Sequence, residues 1–205
     1  MPTAFRNEII TDFTKPANVR KQTDALALVQ KKLGKKYPLL INGKKVLTSD
    51  YNASINPANI SETVGHFAKA DTALAEKALN VALKTFETWK NVPAAKRAAV
   101  LFKAAKIMRR RRWEINAWMI KEVGKNFAEA DGDTAEAIDF LEFYGREMLR
   151  LDAVQPLTPV EGEKNELVYL PLGVGLVIPP WNFPFAIMAG MTTAALVAGN
   201  TVLLK

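Results

Sequence analysis

Asn182 is the residue whose type and setting most clearly suit a role in chemistry. It carries an amide side chain and lies within the turn Ile-Pro-Pro-Trp-Asn-Phe-Pro-Phe at positions 178–185. Prolines on both sides of it fix φ at about −65° and restrict their neighbours, so the turn is predicted to be stiff. An amide N–H held rigidly in a dry cleft stabilises a developing alkoxide, and comparable donors contribute about 3–4 kcal/mol. Asn182 is therefore a candidate oxyanion donor.

Asn182 also has a purely structural interpretation, as the cap of a helix that Pro184 begins. Asn followed by Pro is frequent at helix starts, so the turn taken alone favours the cap. The surroundings favour a site: a buried-strand pattern at 173–178 precedes the turn and a small-residue helix pattern at 186–198 follows it. Open α/β sheets bind ligands at the carboxyl ends of their strands.

The residues around this turn resemble the aldehyde dehydrogenase family. Pro-Trp-Asn-Phe-Pro and Gly-Asn-Thr-Val-x-x-Lys occur in the order and at the separation that the family shows. The resemblance implies that Asn182 helps to hold the oxyanion of a hemithioacetal and that Lys205 contacts the adenosine ribose of NAD or NADP. It also implies a cofactor-lining backbone at Ile178, Pro179, Pro180 and Trp181.

The composition is that of a globular enzyme domain. The 205 residues are 49% hydrophobic and 24% charged, which allows a sizeable core in one or two domains. Neither a signal peptide nor an apolar run of about eighteen residues is visible. A cytoplasmic location without a membrane partner is therefore expected.

The absence of cysteine limits the chemistry of this chain. With no cysteine and a single histidine, His66, neither a disulfide nor a zinc site is expected, and no metal is predicted. In the family that the sequence resembles, a cysteine attacks the aldehyde and a downstream glutamate activates water. Because neither segment is present and the sequence stops after a strand pattern at Lys205, we expect the N-terminal part of a longer enzyme, inactive alone.

The net charge of +7 raises the question of a polyanionic partner. Its densest basic block, 109–112, ends an amphipathic helix pattern, where cations complement the helix dipole. No aromatic residues are interleaved with these arginines, as single-stranded nucleic-acid binding would require. A solvated helix end is predicted, with no nucleic-acid partner.

The remaining patterns predict an α/β protein in three parts. Residues 1–150 are expected to be mainly helical, with helices at 16–33, 71–92 (capped by Asp71), 94–111, 113–123 and 131–150. A hairpin is expected at 37–47 around Asn42-Gly43, and a strand pair at 53–56 and 63–68.

Residues 151–172 are predicted to form an exposed strand pair. In the family, the corresponding segment pairs with a neighbouring subunit, so the resemblance implies a homo-oligomer (dimer or larger). Residues 173–205 are expected to start a Rossmann-like NAD-binding core.

The acidic and aromatic block at 128–144, preceded by Glu-Val-Gly-Lys at 122–125, narrows the resemblance. It is similar to the branch of the family that oxidises L-glutamate γ-semialdehyde to L-glutamate with NAD in proline or arginine catabolism. Glu136 and Phe185 are the candidate substrate-binding residues. Asp133, Asp139 and Glu142 fit the acidic role equally well, and Phe185 on its own favours core packing. NADP in place of NAD is not excluded by these motifs.

Two other functions are compatible with the sequence. One is a different aldehyde dehydrogenase, such as one for succinic semialdehyde, which would share the Asn182 motif but not the 128–144 block. The other is a non-catalytic oligomerisation module, which the lack of cysteine permits.

Overall fold

The computed structural model describes residues 2–205. The helices are α1 (Pro16–Gln30), α2 (Thr72–Trp89), α3 (Ala94–Arg110), α4 (Arg112–Val123), α5 (Phe127–Asp152) and α6 (Ala186–Val197). The strands are β1 (Lys35–Tyr37), β2 (Leu39–Ile41), β3 (Lys44–Val46), β4 (Tyr51–Ile55), β5 (Thr63–Ala68), β6 (Val174–Val177) and β7 (Thr201–Leu204). The predicted α/β class is confirmed.

Two of the predicted turn and cap signals form as expected. Asn42 and Gly43 have φ values of 54° and 69°, which suit a type I′ turn, and they join β2 to β3 in an antiparallel hairpin. Asp71 caps α2, because its Oδ1 accepts a hydrogen bond of 2.8 Å from the Leu74 amide. The strand predicted at 37–41 is interrupted at Pro38, which has no N–H to donate, so β1 and β2 are separate.

The strands of the first part form a small mixed sheet. β5 lies in its centre, antiparallel to β4 and parallel to β1. The strand pair predicted at 53–56 and 63–68 is therefore confirmed, with β4 starting at Tyr51.

The longest helix, α5, begins earlier than position 131, where the apolar pattern placed it. The side chain of Asn126 accepts a 2.9 Å hydrogen bond from the Glu129 amide, and Glu129 accepts one of 3.2 Å from the Asn126 amide. This reciprocal capping box fixes the helix start at Phe127. The extra turn places Asp131 and Asp133 in the second turn of the helix instead of at its start.

The main core lies where α3, α5 and α6 pack together. Fully buried alanines on α3 (Ala98 and Ala105) allow close contact with Ile138 and Leu141 of α5. Gly190 of α6 lies directly against the ring of Phe140, so near that an added Cβ would come within 2.8 Å of it. A smaller core joins α1 to α4. The position of α6 is thus set by close packing on α5.

An extended N-terminal arm (residues 2–12) lies along α5. Asn7 and the amide of Glu8 donate to Asp139 at 2.8 and 2.6 Å. Thr11 donates to Asp131 through both its amide and its hydroxyl, at 2.7 and 3.0 Å. Carboxylates of α5 therefore replace the hydrogen-bond partners that a strand would otherwise provide.

The basic block at 109–112 is not simply a solvated helix end, so that prediction is wrong in part. Arg109 pairs with Glu8 and Glu142, at 2.7 and 2.6 Å. Arg112 begins α4 instead of ending α3, and its buried guanidinium pairs with Asp131. The block therefore holds helices and arm together through ion pairs.

Residues 153–172 contain neither of the two strands predicted there. The segment is extended and mostly exposed, with Val154, Leu170 and Leu172 open to solvent. A strand needs a neighbouring strand to satisfy its backbone N–H and C=O groups, and no strand within residues 2–205 pairs with this segment.

The chain's last elements form a β6–α6–β7 unit in which the two strands are parallel, with Val174 opposite Thr201 and Val177 opposite Leu204. Parallel strands joined by a helix are the βαβ arrangement of α/β folds. Within residues 2–205, no helix combines the length and apolar character needed to cross a membrane.

Candidate active site

The Asn182 turn (residues 178–185) leaves the carboxyl end of β6 and leads into α6. Trp181 is 80% exposed and Ile178 54% exposed, while Asn182 itself lies at the surface. Among residues 2–205, no hydrogen bond uses the Asn182 side chain. Asn182 therefore does not cap α6, whose N-cap residue is Phe185.

Lys205 lies at the same edge of the sheet. Its amide donates a 3.0 Å hydrogen bond to the carbonyl of Val177, the last residue of β6. Its side chain is exposed. The parallel register therefore brings Lys205 next to the first residue of the Asn182 turn, and both lie at the carboxyl edge, where α/β sheets bind ligands.

Three contacts hold the far end of α6 and so fix β7. Trp89 donates from its indole to the carbonyl of Leu196 at 3.0 Å, and buried Arg97 donates to Val197 at 2.7 Å. Asn200 accepts hydrogen bonds of 2.7 and 2.9 Å from the amides of residues 172 and 173, which lead into β6. The Asn of the Gly-Asn-Thr-Val motif is thus a structural tie between the two strands.

An open cleft of about 460 Å³ lies between the Asn182 turn and the junction of α4 with α5. Its walls are formed by Val123, Gly124, Lys125, Glu129, Gly132, Asp133, Trp181, Asn182 and Phe183. This places a neutral amide, one ammonium and two carboxylates around a concave surface with an aromatic side. Within residues 2–205, no group of three acidic, His or Cys side chains converges as metal ligands would.

The two predicted substrate-binding residues lie outside this lining. Glu136 is exposed on α5, one helical turn beyond Gly132 and Asp133 on the same stripe. Phe185 is half-buried and packs against the main core, and the aromatic ring that reaches the cleft is that of Phe183. The assigned roles of Glu136 and Phe185 stay predictions.

Sequence reasoning missed the most buried charges at this site. Asp133 accepts a 2.5 Å hydrogen bond from the amide of Ala186, at the start of α6. It also forms an ion pair with Lys125, whose ammonium lies 2.7 Å from the carboxylate. Asp133 was one of four equivalent acidic candidates, and no local pattern relates it to a partner 53 residues away. The Asn126–Glu129 capping box was the available signal, because it sets the register of α5.

A family model described as "Aldehyde dehydrogenase family" matches residues 47–205, which include the whole site. The chain belongs to the aldehyde dehydrogenase family. Its fold agrees: over 99% of the chain, it superposes with a TM-score of 0.95 and 46% identity on the crystal structure of 1-pyrroline-5-carboxylate dehydrogenase from Thermus with bound NAD, covering 40% of that protein.

Curated members of the aldehyde dehydrogenase family also align along nearly the whole chain. The 1-pyrroline-5-carboxylate dehydrogenase of Geobacillus kaustophilus (strain HTA426) is 55% identical over 201 residues, 98% of this chain and 39% of that protein. The protein of the same name from Bacillus cereus (strain B4264) is 54% identical over 205 residues, 100% of this chain and 40% of that protein. The chain spans about two fifths of the length of these relatives.

Proposed function

We propose that this chain is part of an NAD-dependent enzyme that oxidises L-glutamate γ-semialdehyde, the open form of 1-pyrroline-5-carboxylate, to L-glutamate. The observation that carries the proposal is that the Asn182 turn and Lys205 lie together at one sheet edge, beside the cleft. The likeness to proteins named 1-pyrroline-5-carboxylate dehydrogenase along the whole chain supports this choice of substrate.

The residues at the carboxyl edge fit a dinucleotide. Lys205 offers an exposed ammonium next to the end of β6, where it would donate to the hydroxyls of the adenosine ribose. The cofactor would be lined by the main chain of Ile178, Pro179, Pro180 and Trp181. The two prolines have no N–H group, so a ring of the cofactor packed against them would leave no main-chain donor unpaired there. NAD, when bound, supplies the electron acceptor for the oxidation.

The role of Asn182 follows from its free amide. When a nucleophile adds to the aldehyde, the carbonyl oxygen becomes an alkoxide, and an amide N–H already aimed at that position stabilises it without reorganisation. The nucleophile and the base that activates water for acid release would belong to a cysteine and a glutamate outside these residues, since the sequence has no cysteine. The balanced reaction consumes one aldehyde, one NAD⁺ and one water and yields one carboxylate, one NADH and two protons.

The segment at 153–172 and the surface of the cleft complete the proposal. The exposed extended segment would pair with a neighbouring subunit, giving a homo-oligomer in the cytoplasm. Glu136 and Phe185 stay the candidates for recognising the amino-acid head of the substrate and for the wall of its path.

The test is an assay of the complete polypeptide that contains this chain. NAD reduction is followed at 340 nm with 1-pyrroline-5-carboxylate and, in parallel, with succinic semialdehyde, each at several concentrations. A higher kcat/KM for 1-pyrroline-5-carboxylate is expected. Preference for succinic semialdehyde would contradict the substrate, and no NADH with any aldehyde would contradict the enzyme function.

A further inference from the structure

The Asn182 turn is held in place mainly by residues outside it. Helix α6 begins without a side-chain cap of its own, since Phe185 provides none. Its first amide, that of Ala186, donates instead to Asp133 of α5. A carboxylate at a helix N-terminus satisfies an otherwise unpaired N–H and interacts favourably with the helix dipole. The end of the turn is therefore fixed by a charge from another helix.

Lys125 contacts the turn from a second side. Its ammonium lies 2.7 Å from Asp133 Oδ2 and 4.2 Å from the ring centroid of Phe183, the residue that follows Asn182. A cation over an aromatic face is attracted by the ring quadrupole, more strongly where water is excluded. The Lys125 side chain is 10% exposed and that of Asp133 is 0% exposed, so water is largely excluded here.

Burying two charges has a substantial desolvation cost, and a buried ion pair is often no more stabilising than apolar residues of equal volume. A pair retained at such a cost suits a task that apolar packing performs poorly, which is fixing one orientation. Lys125 contacts the ring of Phe183 and Asp133 accepts from the amide of Ala186; these residues follow the candidate oxyanion donor, Asn182, by one and four positions.

We infer that Lys125 and Asp133 are a positioning pair that orients the Asn182 turn across the cleft. The inference rests on the function proposed above. Neither side chain takes part in bond making. They act through Phe183 and Ala186 to keep the Asn182 amide where the alkoxide develops, and a misplacement of about 1 Å at such a group lowers the rate about 100-fold.

The test uses the complete enzyme with the paired substitution Lys125→Met and Asp133→Asn. The asparagine carbonyl still accepts from the Ala186 amide, and no lone charge is left buried. We expect kcat with 1-pyrroline-5-carboxylate to fall about 10- to 100-fold, while KM for NAD is unchanged. Amide hydrogen exchange within 181–187 is expected to accelerate, and that of α3 to stay as in the wild type.

Lys121→Met with Glu62→Gln is the matched control. This pair is also largely shielded, with side-chain exposures of 20% and 16%, but it joins α4 to the loop before β5, and neither residue lines the cleft. Unchanged kcat is expected in this control. An equal fall in kcat and thermal midpoint for both paired variants would overturn the inference, since it would indicate general destabilisation.

Wild-type kcat and wild-type exchange in the Lys125/Asp133 variant would overturn the inference as well. If that variant does not fold, Phe183→Leu decides, because leucine offers no ring face to the Lys125 ammonium and leaves the buried charge pair intact. A reduced kcat with faster exchange within 181–187 supports the positioning role, and wild-type values of both contradict it. A wild-type enzyme that reduces no NAD would contradict the proposed function instead, and hydrogen exchange in the turn would then decide the positioning role.

Discussion

The guanidinium of Arg112 and the carboxylate of Asp131 face each other through two parallel hydrogen bonds, Nε to Oδ1 and Nη2 to Oδ2, each 2.6 Å long. The same carboxylate accepts from Thr11 of the N-terminal arm and from Asn116 of α4. One buried side chain of α5 thus joins three parts of the chain. A protein with such a buried ion pair is often no more stable than one with two apolar residues in its place. Removing only one partner, however, leaves an uncompensated buried charge.

Replacing Arg112 by methionine is expected to destabilise the fold by about 3–5 kcal/mol, because the buried Asp131 would keep its charge without a cationic partner. The measurement is urea denaturation followed by circular dichroism. Arg110→Met is the control, since Arg110 is exposed at the end of α3. A similar loss in both variants would show that the Arg112 pair has no special weight.

The Asp131 carboxyl is also expected to make the free energy of unfolding depend on pH. Burial raises its pKa, but the hydrogen bonds from Arg112, Thr11 and Asn116 outweigh burial, so the pKa lies below the ordinary 3.8. The unfolded chain then binds this proton at a higher pH than the folded one. The stabilisation is complete above the unfolded pKa and is lost as pH falls through the lower, folded pKa. Asp131→Asn should flatten the stability curve below about pH 5; an unchanged slope would argue against this.

Close packing between α5 and α6 gives a second stability prediction. In Gly190→Ala, the new methyl group would meet the ring of Phe140 at 2.8 Å, and overpacking of this kind costs about 1–3 kcal/mol. Gly132→Ala is the matched change within α5, where no atom lies within 4 Å of the added Cβ. This variant should gain up to about 1 kcal/mol from helix propensity. Thermal midpoints moving in the same direction would contradict the packing argument.

The oxyanion role of Asn182 predicts a specific kinetic defect in the complete enzyme. Asn182→Ala is expected to lower kcat about 100- to 1,000-fold, because the amide acts on the alkoxide and not on the bound aldehyde. KM for NAD should not change. Asn80→Ala, on the exposed face of α2, serves as the control and should have wild-type kcat. A normal kcat for Asn182→Ala would remove this residue from the mechanism.

The ribose contact proposed for Lys205 predicts the opposite pattern. Lys205→Met should raise KM for NAD about 10- to 100-fold, the effect of losing one hydrogen bond to a charged group, with little change in kcat at saturating NAD. Lys45→Met is the control. It removes the same charge from the exposed hairpin strand β3, 160 positions from Lys205 in the sequence, and should leave KM for NAD unaltered. Equal KM values for the Lys205 and Lys45 variants would contradict the contact.

Local signals predicted much of the architecture. The Asn42-Gly43 turn, the Asp71 cap and the strand–turn–helix around Asn182 depend on neighbouring residues, so they are readable without tertiary information. The partners of Arg112 and Asp133 lie on other elements, and no spacing identifies them. The strand pair expected at 151–172 did not form within residues 2–205, because a strand depends on a neighbour that local sequence does not specify.

The docking of the N-terminal arm has a consequence for the order of events during synthesis. Residues 7–11 are made before the carboxylates that bind them, Asp131 and Asp139, which follow 120 to 132 residues later. At about 5–20 residues per second, that interval lasts about 6 to 26 s. Through this time the arm has no partner, so a chaperone or protease that recognises unpaired N-terminal segments has its opportunity before α5 emerges.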